Sequence, residues 1–454
     1  MFIALLIGVG VALSPAIPAV AASVATAEWP GYQGGPGHVG TVPSGGPSAP
    51  LRLAGAWARV RGQGRVASPV VVGDIAVTES RTRFVGLDSA TGMVVWSTPR
   101  DRGNVLSPAV DPATGSVVAT EGTVRRGAAL VALEPSSGRV LLRVRLPQPA
   151  TSGVTIAGNA ALFGARGRRV YALDLTMRAV RWAVAMGGVV EAAPAVSGGL
   201  AFVASSSTTA TRSRLAAIDL ESGRVSWSYP SSGFTSLASG PSIVGRRVYA
   251  GFGDGTLRAF DALTGRVAWS SPLRDAMSPL SAPAVDHGVV YANDRLGGLY
   301  AFDATTGTRR WDFQFASDSL WGAPLVGRGS VFLGLDDGTV AAVSTGTGRL
   351  AWSTRLRFGP IGGLASSGGL LLAPLLGGGG GLASFRHDPN GNVLSLGSPT
   401  TLHLPPALAS FAAAVAIMLA VVLLFFRVLL DPARVPGPSP ARVAADRDEA
   451  GEPS

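Results

Sequence analysis

Ala259-Phe260-Asp261-Ala262-Leu263-Thr264-Gly265-Arg266-Val267-Ala268-Trp269 is the stretch from which the fold can be read. The residues leading into it, Thr256 to Phe260, alternate in polarity and are β-prone, so they read as a strand. Asp261 to Gly265 then carries the turn chemistry of a hairpin, and Trp269 lies on the returning strand. The same unit recurs in seven copies, the others ending at Trp96, Leu142, Trp182, Trp227, Trp311 and Trp352. Successive copies lie about forty residues apart, the period of four-stranded sheets that bury their faces only by stacking on their neighbours.

Each position in the unit has a mechanical reason. Gly92, Gly138, Gly223, Gly265, Gly307 and Gly348 stand where the turn needs positive φ. The third copy has Arg178 there, which predicts a locally altered turn. Gly86, Ala132, Ala172, Ala217, Ala259, Ala301 and Ala342 open the unit, and a small residue there leaves room for the large ring that follows. On this reading Trp96, Trp182, Trp227, Trp269, Trp311 and Trp352 dock one blade on the next, and the second copy replaces the ring with Leu142. Upstream, Ser68-Pro69-Val70, Ala193-Pro194-Ala195 and Ala282-Pro283-Ala284 mark innermost strands entered at proline.

The two ends of the repeat region complement each other. Trp57 follows Ala54-Gly55-Ala56 with no unit of its own before it, and after Trp352 comes an incomplete unit, Leu370 to Pro374 and Leu382 to Phe385. The expected fold is therefore an all-β, eight-bladed β-propeller over residues 50–391, with seven blades as the alternative. Its last blade takes an outer strand from the N-terminal side, with Trp57 as an additional docking ring, which removes exposed sheet edges. Gly377 to Gly381 reads as a hairpin tip in that blade, and Asp388-Pro389-Asn390-Gly391 as a terminal turn.

Outside the repeats the chain reads as membrane signals. Phe2 to Leu13 is an apolar run followed by small residues, the layout of a secretory signal peptide over residues 1–27, with an extracytoplasmic leader at 28–49. A linker at 392–406 precedes Ala407 to Phe426, in which Ser410 is the single polar side chain, long enough for a transmembrane helix. Arg427 and Arg434 follow it, so the positive-inside bias places the 427–454 tail, a disordered segment on composition, in the cytoplasm and the propeller outside. The localisation expected is a single-pass cell-membrane protein.

Composition narrows the chemistry. The formal charge is +10 and every basic residue is arginine, but the doublets Arg125-Arg126, Arg168-Arg169, Arg246-Arg247 and Arg309-Arg310 are scattered, so they read as solvated faces and not as a nucleic-acid surface. With no cysteine, disulfides, thiolate nucleophiles and Cys-based metal sites are excluded. His38, His287, His387 and His403 show no metal-ligand spacing and read as surface turn residues. Asp254-Gly255 and Asp336-Asp337-Gly338 read as hairpin tips rather than calcium loops. Neither a P-loop nor a nucleophile elbow is present.

Over roughly residues 29–391 the chain resembles the quinoprotein-like β-propeller family built from PQQ-type (pyrroloquinoline-quinone-type) repeats. The seven spaced units carry that resemblance, together with the leader Trp29-Pro30-Gly31-Tyr32-Gln33-Gly34-Gly35-Pro36-Gly37-His38-Val39-Gly40. Catalytic members hold the quinone in the central funnel with calcium, an aspartate base and a vicinal disulfide; this chain has no cysteine and no matching constellation of Glu, Asn and Asp. It is more similar to the non-catalytic branch, represented by the propeller scaffold of the outer-membrane β-barrel assembly machinery, and also resembles sensor propellers attached to bacterial receptor kinases. The resemblance implies no cofactor, no metal and no catalysis, with a protein or peptide partner on one propeller face. The alternative it leaves is a PQQ-dependent dehydrogenase.

Overall fold

The computed structural model describes residues 27–42, 46–56, 66–207, 213–230, 239–273, 281–316, 322–356, 359, 361–376 and 381–390. All of them belong to the first of two compact units, Met1–Leu394. The signal segment, Trp57, the Gly377–Gly380 tip, the 392–406 linker, the 407–426 helix and the tail lie outside the described residues. Among the described residues no helix is long and apolar enough to cross a membrane.

The fold is an all-β propeller of eight sheets. Blade five shows how the repeat becomes structure. Its innermost strand is Ser242–Val244, followed by Arg247–Phe252, Thr256–Asp261 and Val267–Pro272, each antiparallel to the one before. Asp261 Oδ1 accepts from the amides of Leu263 and Thr264 and so closes the turn between the third and fourth strands. The turn's hydrogen bonds favour the ionised carboxylate and hold it down to about 2. Gly265 takes the left-handed conformation the turn requires, φ 69°. Past the turn the register slips by one residue, so that Ala259 faces Trp269 while Phe260 faces Val267, and this bulge re-aims the indole.

Blades one to seven repeat this arrangement, with innermost strands at Val70–Val72, Ala109–Val110, Thr155–Ala157, Ala195–Ser197, Ser242–Val244, Ala284–Asp286 and Leu325–Gly327. Their middle two strands are buried almost throughout, since both faces of a blade pack on neighbours. At the turn where an alteration is expected, Arg178 adopts φ 56°, the strain being borne by an L-residue, and the strand pairing continues through Asp174 and Ala179, one pair further than at the glycine turn of blade five.

Blade eight closes the ring with strands from both ends of the sequence. Ala365–Ser367, Leu370–Leu375 and Gly381–His387 supply the inner three strands, and Leu51–Ala56 pairs antiparallel with Gly381–His387 as the outermost. A bulge lies here too, and it places Gly55 opposite Ser384 in the register that Trp269 holds opposite Ala259. By register Gly55 stands in blade eight where Trp269 stands in blade five, and Trp57, the docking ring expected there, lies outside the described residues.

Candidate functional site

Five of the docking tryptophans are placed alike. The indole Nε1 of Trp96 donates to Pro135 O at 2.6 Å, Trp182 to Leu220 O at 2.9 Å, Trp227 to Ala262 O at 2.8 Å, Trp269 to Ala304 O at 3.0 Å and Trp311 to Thr345 O at 2.8 Å. In every case the acceptor is the second residue of the third-to-fourth-strand turn in the next blade. The ring lies against that turn's glycine: a Cβ built on Gly307 would stand 2.6 Å from the indole of Trp269, and one on Gly265 2.6 Å from that of Trp227. The turn glycine thus answers both to its own φ and to the neighbour's ring. Trp352, 2% exposed, instead packs edge-on against Phe385 of blade eight, ring centres 5.7 Å apart.

At the hub the leader replaces an empty channel with backbone. Ala27–Trp29 pairs with the inner strand of blade one. From there the leader's carbonyls accept from the innermost strands in turn: Pro30 from Val110 N at 2.7 Å, Pro36 from Val196 N at 2.7 Å, Gly37 from Ile243 N at 2.8 Å, Val39 from Val285 N at 2.8 Å and Gly40 from Val326 N at 2.7 Å. Each inner strand is a sheet edge with a donor facing the axis, and the leader satisfies these donors in blades two and four to seven. Close approach explains its glycines: a Cβ on Gly40, at φ 66°, would come within 2.8 Å of Pro324 O.

His38 is the main departure from the sequence reading. It is 1% exposed, with Nδ1 donating to Pro241 O at 3.3 Å and Nε2 paired with Thr155 Oγ1 at 3.3 Å. Burial lowers its pKa to about 4, so it is neutral and spans blades five and three through the hub. His287, by contrast, is a surface turn residue, its side chain 92% exposed. Gln33, also buried, donates from Nε2 to Ala282 O at 2.9 Å.

Above the leader a funnel of about 310 Å³ opens, with Tyr32 as part of its lining beside Leu106, Ser107, Gly153, Glu191, Ser239 and Ser281. Burial raises the Tyr32 phenol to about 12 and keeps it neutral. One wall is braced by a buried pair: Arg100 Nη1 lies 3.2 Å from Glu79 Oε1, which also accepts from Leu106 N at 2.7 Å, while Arg100 Nη2 donates to Thr120 O at 2.7 Å. Burial is the largest influence on Glu79 and pushes its carboxyl up to about 7, against the pull of Arg100. Among the described residues the only charged group lining the funnel is Glu191. A tricarboxylic quinone needs cations, and among the described residues this funnel offers hydroxyl donors and one carboxylate but no cation, so those residues do not fit it. Among the described residues no group of three or more His, Cys, Asp or Glu is placed to hold a metal ion.

A family model described as "Outer membrane protein assembly factor BamB" matches residues 126–281 and 253–396. The chain belongs to this family. Solved structures agree on the fold. BamB from Moraxella catarrhalis is 20% identical with a TM-score of 0.60, covering 75% of this chain and 99% of that one. A europium-containing methanol dehydrogenase is 14% identical with a TM-score of 0.63, covering 78% and 90%. The quinohemoprotein alcohol dehydrogenase from Comamonas testosteroni is 13% identical with a TM-score of 0.62, covering 79% and 80%. No curated protein sequence matches the chain. At these identities the structural likeness carries the propeller and nothing finer, and BamB-family propellers and dehydrogenases share it.

Proposed function

We propose that this BamB-family propeller is a membrane-tethered, extracytoplasmic scaffold that binds a protein partner and catalyses no reaction. The observation that carries the reading is the hub: the leader runs along the inner strands, and the funnel above it has, among the described residues, one carboxylate and no cation, a lining suited to contact and not to a redox cofactor. The family match supports the same direction, and the sequence without cysteine removes the vicinal disulfide that the resemblance implies for catalytic relatives. The apolar segments at 2–13 and 407–426 support tethering, with the propeller outside and the tail in the cytoplasm.

The dehydrogenase neighbours favour a second reading, quinone-dependent oxidation, and one experiment separates the two. The purified full chain titrated with pyrroloquinoline quinone and calcium is expected to give no saturable absorbance change and no dye-linked alcohol oxidation; either signal overturns the scaffold reading. On intact cells a membrane-impermeant crosslinker is expected to join the chain to envelope proteins. A chain that such a reagent cannot reach would refute the proposed placement.

A further inference from the structure

Blade two differs from the blades that follow it. Its second and third strands, Val117–Thr123 and Gly127–Leu133, run seven residues each, whereas the corresponding strands of blades three to seven run five or six. The longer hairpin ends in Val124, 59% exposed, followed by the exposed Arg125 and Arg126. Alongside it, the outer strand Val140–Leu146 carries Arg143 and Arg145 two residues apart, hence on one face, opposite Val131 and Ala129.

A hollow of about 660 Å³ lies between these elements. To its lining the third strand contributes only the small residues Gly127, Ala128 and Ala129. Four guanidinium groups surround it against one lining carboxylate, Asp101, which comes from the loop leaving blade one. Beneath, the buried Glu121 pairs with Arg143 and accepts from Asp101 N at 3.0 Å, so Arg143 is fixed in place. Arg125, Arg126 and Arg145 have no carboxylate within ion-pair distance among the described residues. Elsewhere Arg181, Arg246 and Arg310 are each paired with the turn aspartate of their own blade.

We propose that this hollow docks an extended acidic segment of a protein partner, an inference that rests on the scaffold reading above and names the partner's chemistry. Carboxylates spaced along an extended chain match guanidinium groups on a hairpin tip and on the strand beside it. Next to them the outer strand of blade two pairs on one side only, leaving main-chain donors and acceptors for such a segment to meet. Val124, exposed and part of the lining, adds apolar contact. Among the described residues no aromatic ring lines the hollow on which a base could stack.

The test uses the full chain and a fluorescein-labelled peptide of alternating glutamate and valine, read by anisotropy. Saturable binding that weakens as salt is raised is expected, with affinity reduced about tenfold or more in the R125E/R126E/R145E variant. R266E, on the third-to-fourth-strand turn of blade five, is expected to leave affinity unchanged. All three reversed residues are exposed, so an unchanged thermal midpoint verifies the variant's fold. No peptide binding by the native chain, equal binding by the triple variant, or binding of phosphatidylserine vesicles in place of the peptide each overturns the proposal. Loss of peptide binding with envelope crosslinks retained would overturn the groove and leave the scaffold reading standing.

Discussion

Two seams of the same ring are closed by different chemistry. Between blades five and six, Trp269 lays its indole on Gly307 and donates to Ala304 O. Between blades two and three the corresponding residues are Leu142 and Arg178: the ring and the glycine are lost together. Leu142 joins instead an apolar cluster that includes Leu175, Tyr171 and Leu173, and Arg178 takes positive φ, a conformation that costs an L-residue about 1 kcal/mol or more. The difference shows that a residue other than glycine is tolerated at the turn where no ring presses on it, at the cost of positive φ. With the ring gone, an arginine side chain has room to leave the turn, and only the backbone cost remains.

The comparison can be broken most directly at a ring. Trp269→Ala is expected to cost about 3 to 5 kcal/mol in denaturant unfolding, as deletion of a buried aromatic does. A near-native midpoint would mean that the indole seals nothing and is free for recognition. A double-mutant cycle across the odd seam gives smaller effects. Leu142→Trp alone is expected to cost about 1 to 3 kcal/mol, because the new ring meets a filled seam and a side chain where the other blades have glycine. Arg178→Gly in the same molecule should recover part of that loss, a coupling absent if the two positions are independent. The smallest effect is Arg178→Gly by itself, expected to gain about 1 kcal/mol by relieving positive φ, less the added freedom of the unfolded chain. Destabilisation by Arg178→Gly would show that the arginine side chain makes a contact of its own that outweighs the strain.

The ring and its closure were legible because turn chemistry and strand alternation recur at a fixed period, and the two orphan fragments had to complete one sheet. The coupling of Leu142 to Arg178 was not, since it joins neighbouring blades through space. The register that sets Gly55 opposite Ser384 was not legible, because no composition rule marks where a bulge falls, and Trp57 lies outside the described residues. His38 looked like a surface turn residue because the leader meets the hub largely through backbone carbonyls, which leave no trace in side-chain identity except glycines such as Gly40. Arg125 and Arg126 read as one basic doublet among several. Their distinction lies in the two-strand extension beneath them and in Arg145 beside them, which only the register brings together.

The ring's clasp also sets a timetable. His387 Nδ1 donates to Ser48 O across 339 positions, and Glu28 reaches the amide of Gly368 across 340. A chain made from its N-terminus presents both the hub thread and the outermost strand of blade eight long before the residues they meet exist. Blades two to seven are each assembled from contiguous sequence and can form as the chain lengthens, but the first-made segment must wait, extended and with its strand edge unpaired. Closure is then a late event of high contact order, slow to happen and, once it has happened, slow to reverse. On the proposed extracytoplasmic placement, that waiting period is the interval in which a chaperone or a neighbouring copy has its best access to the edge.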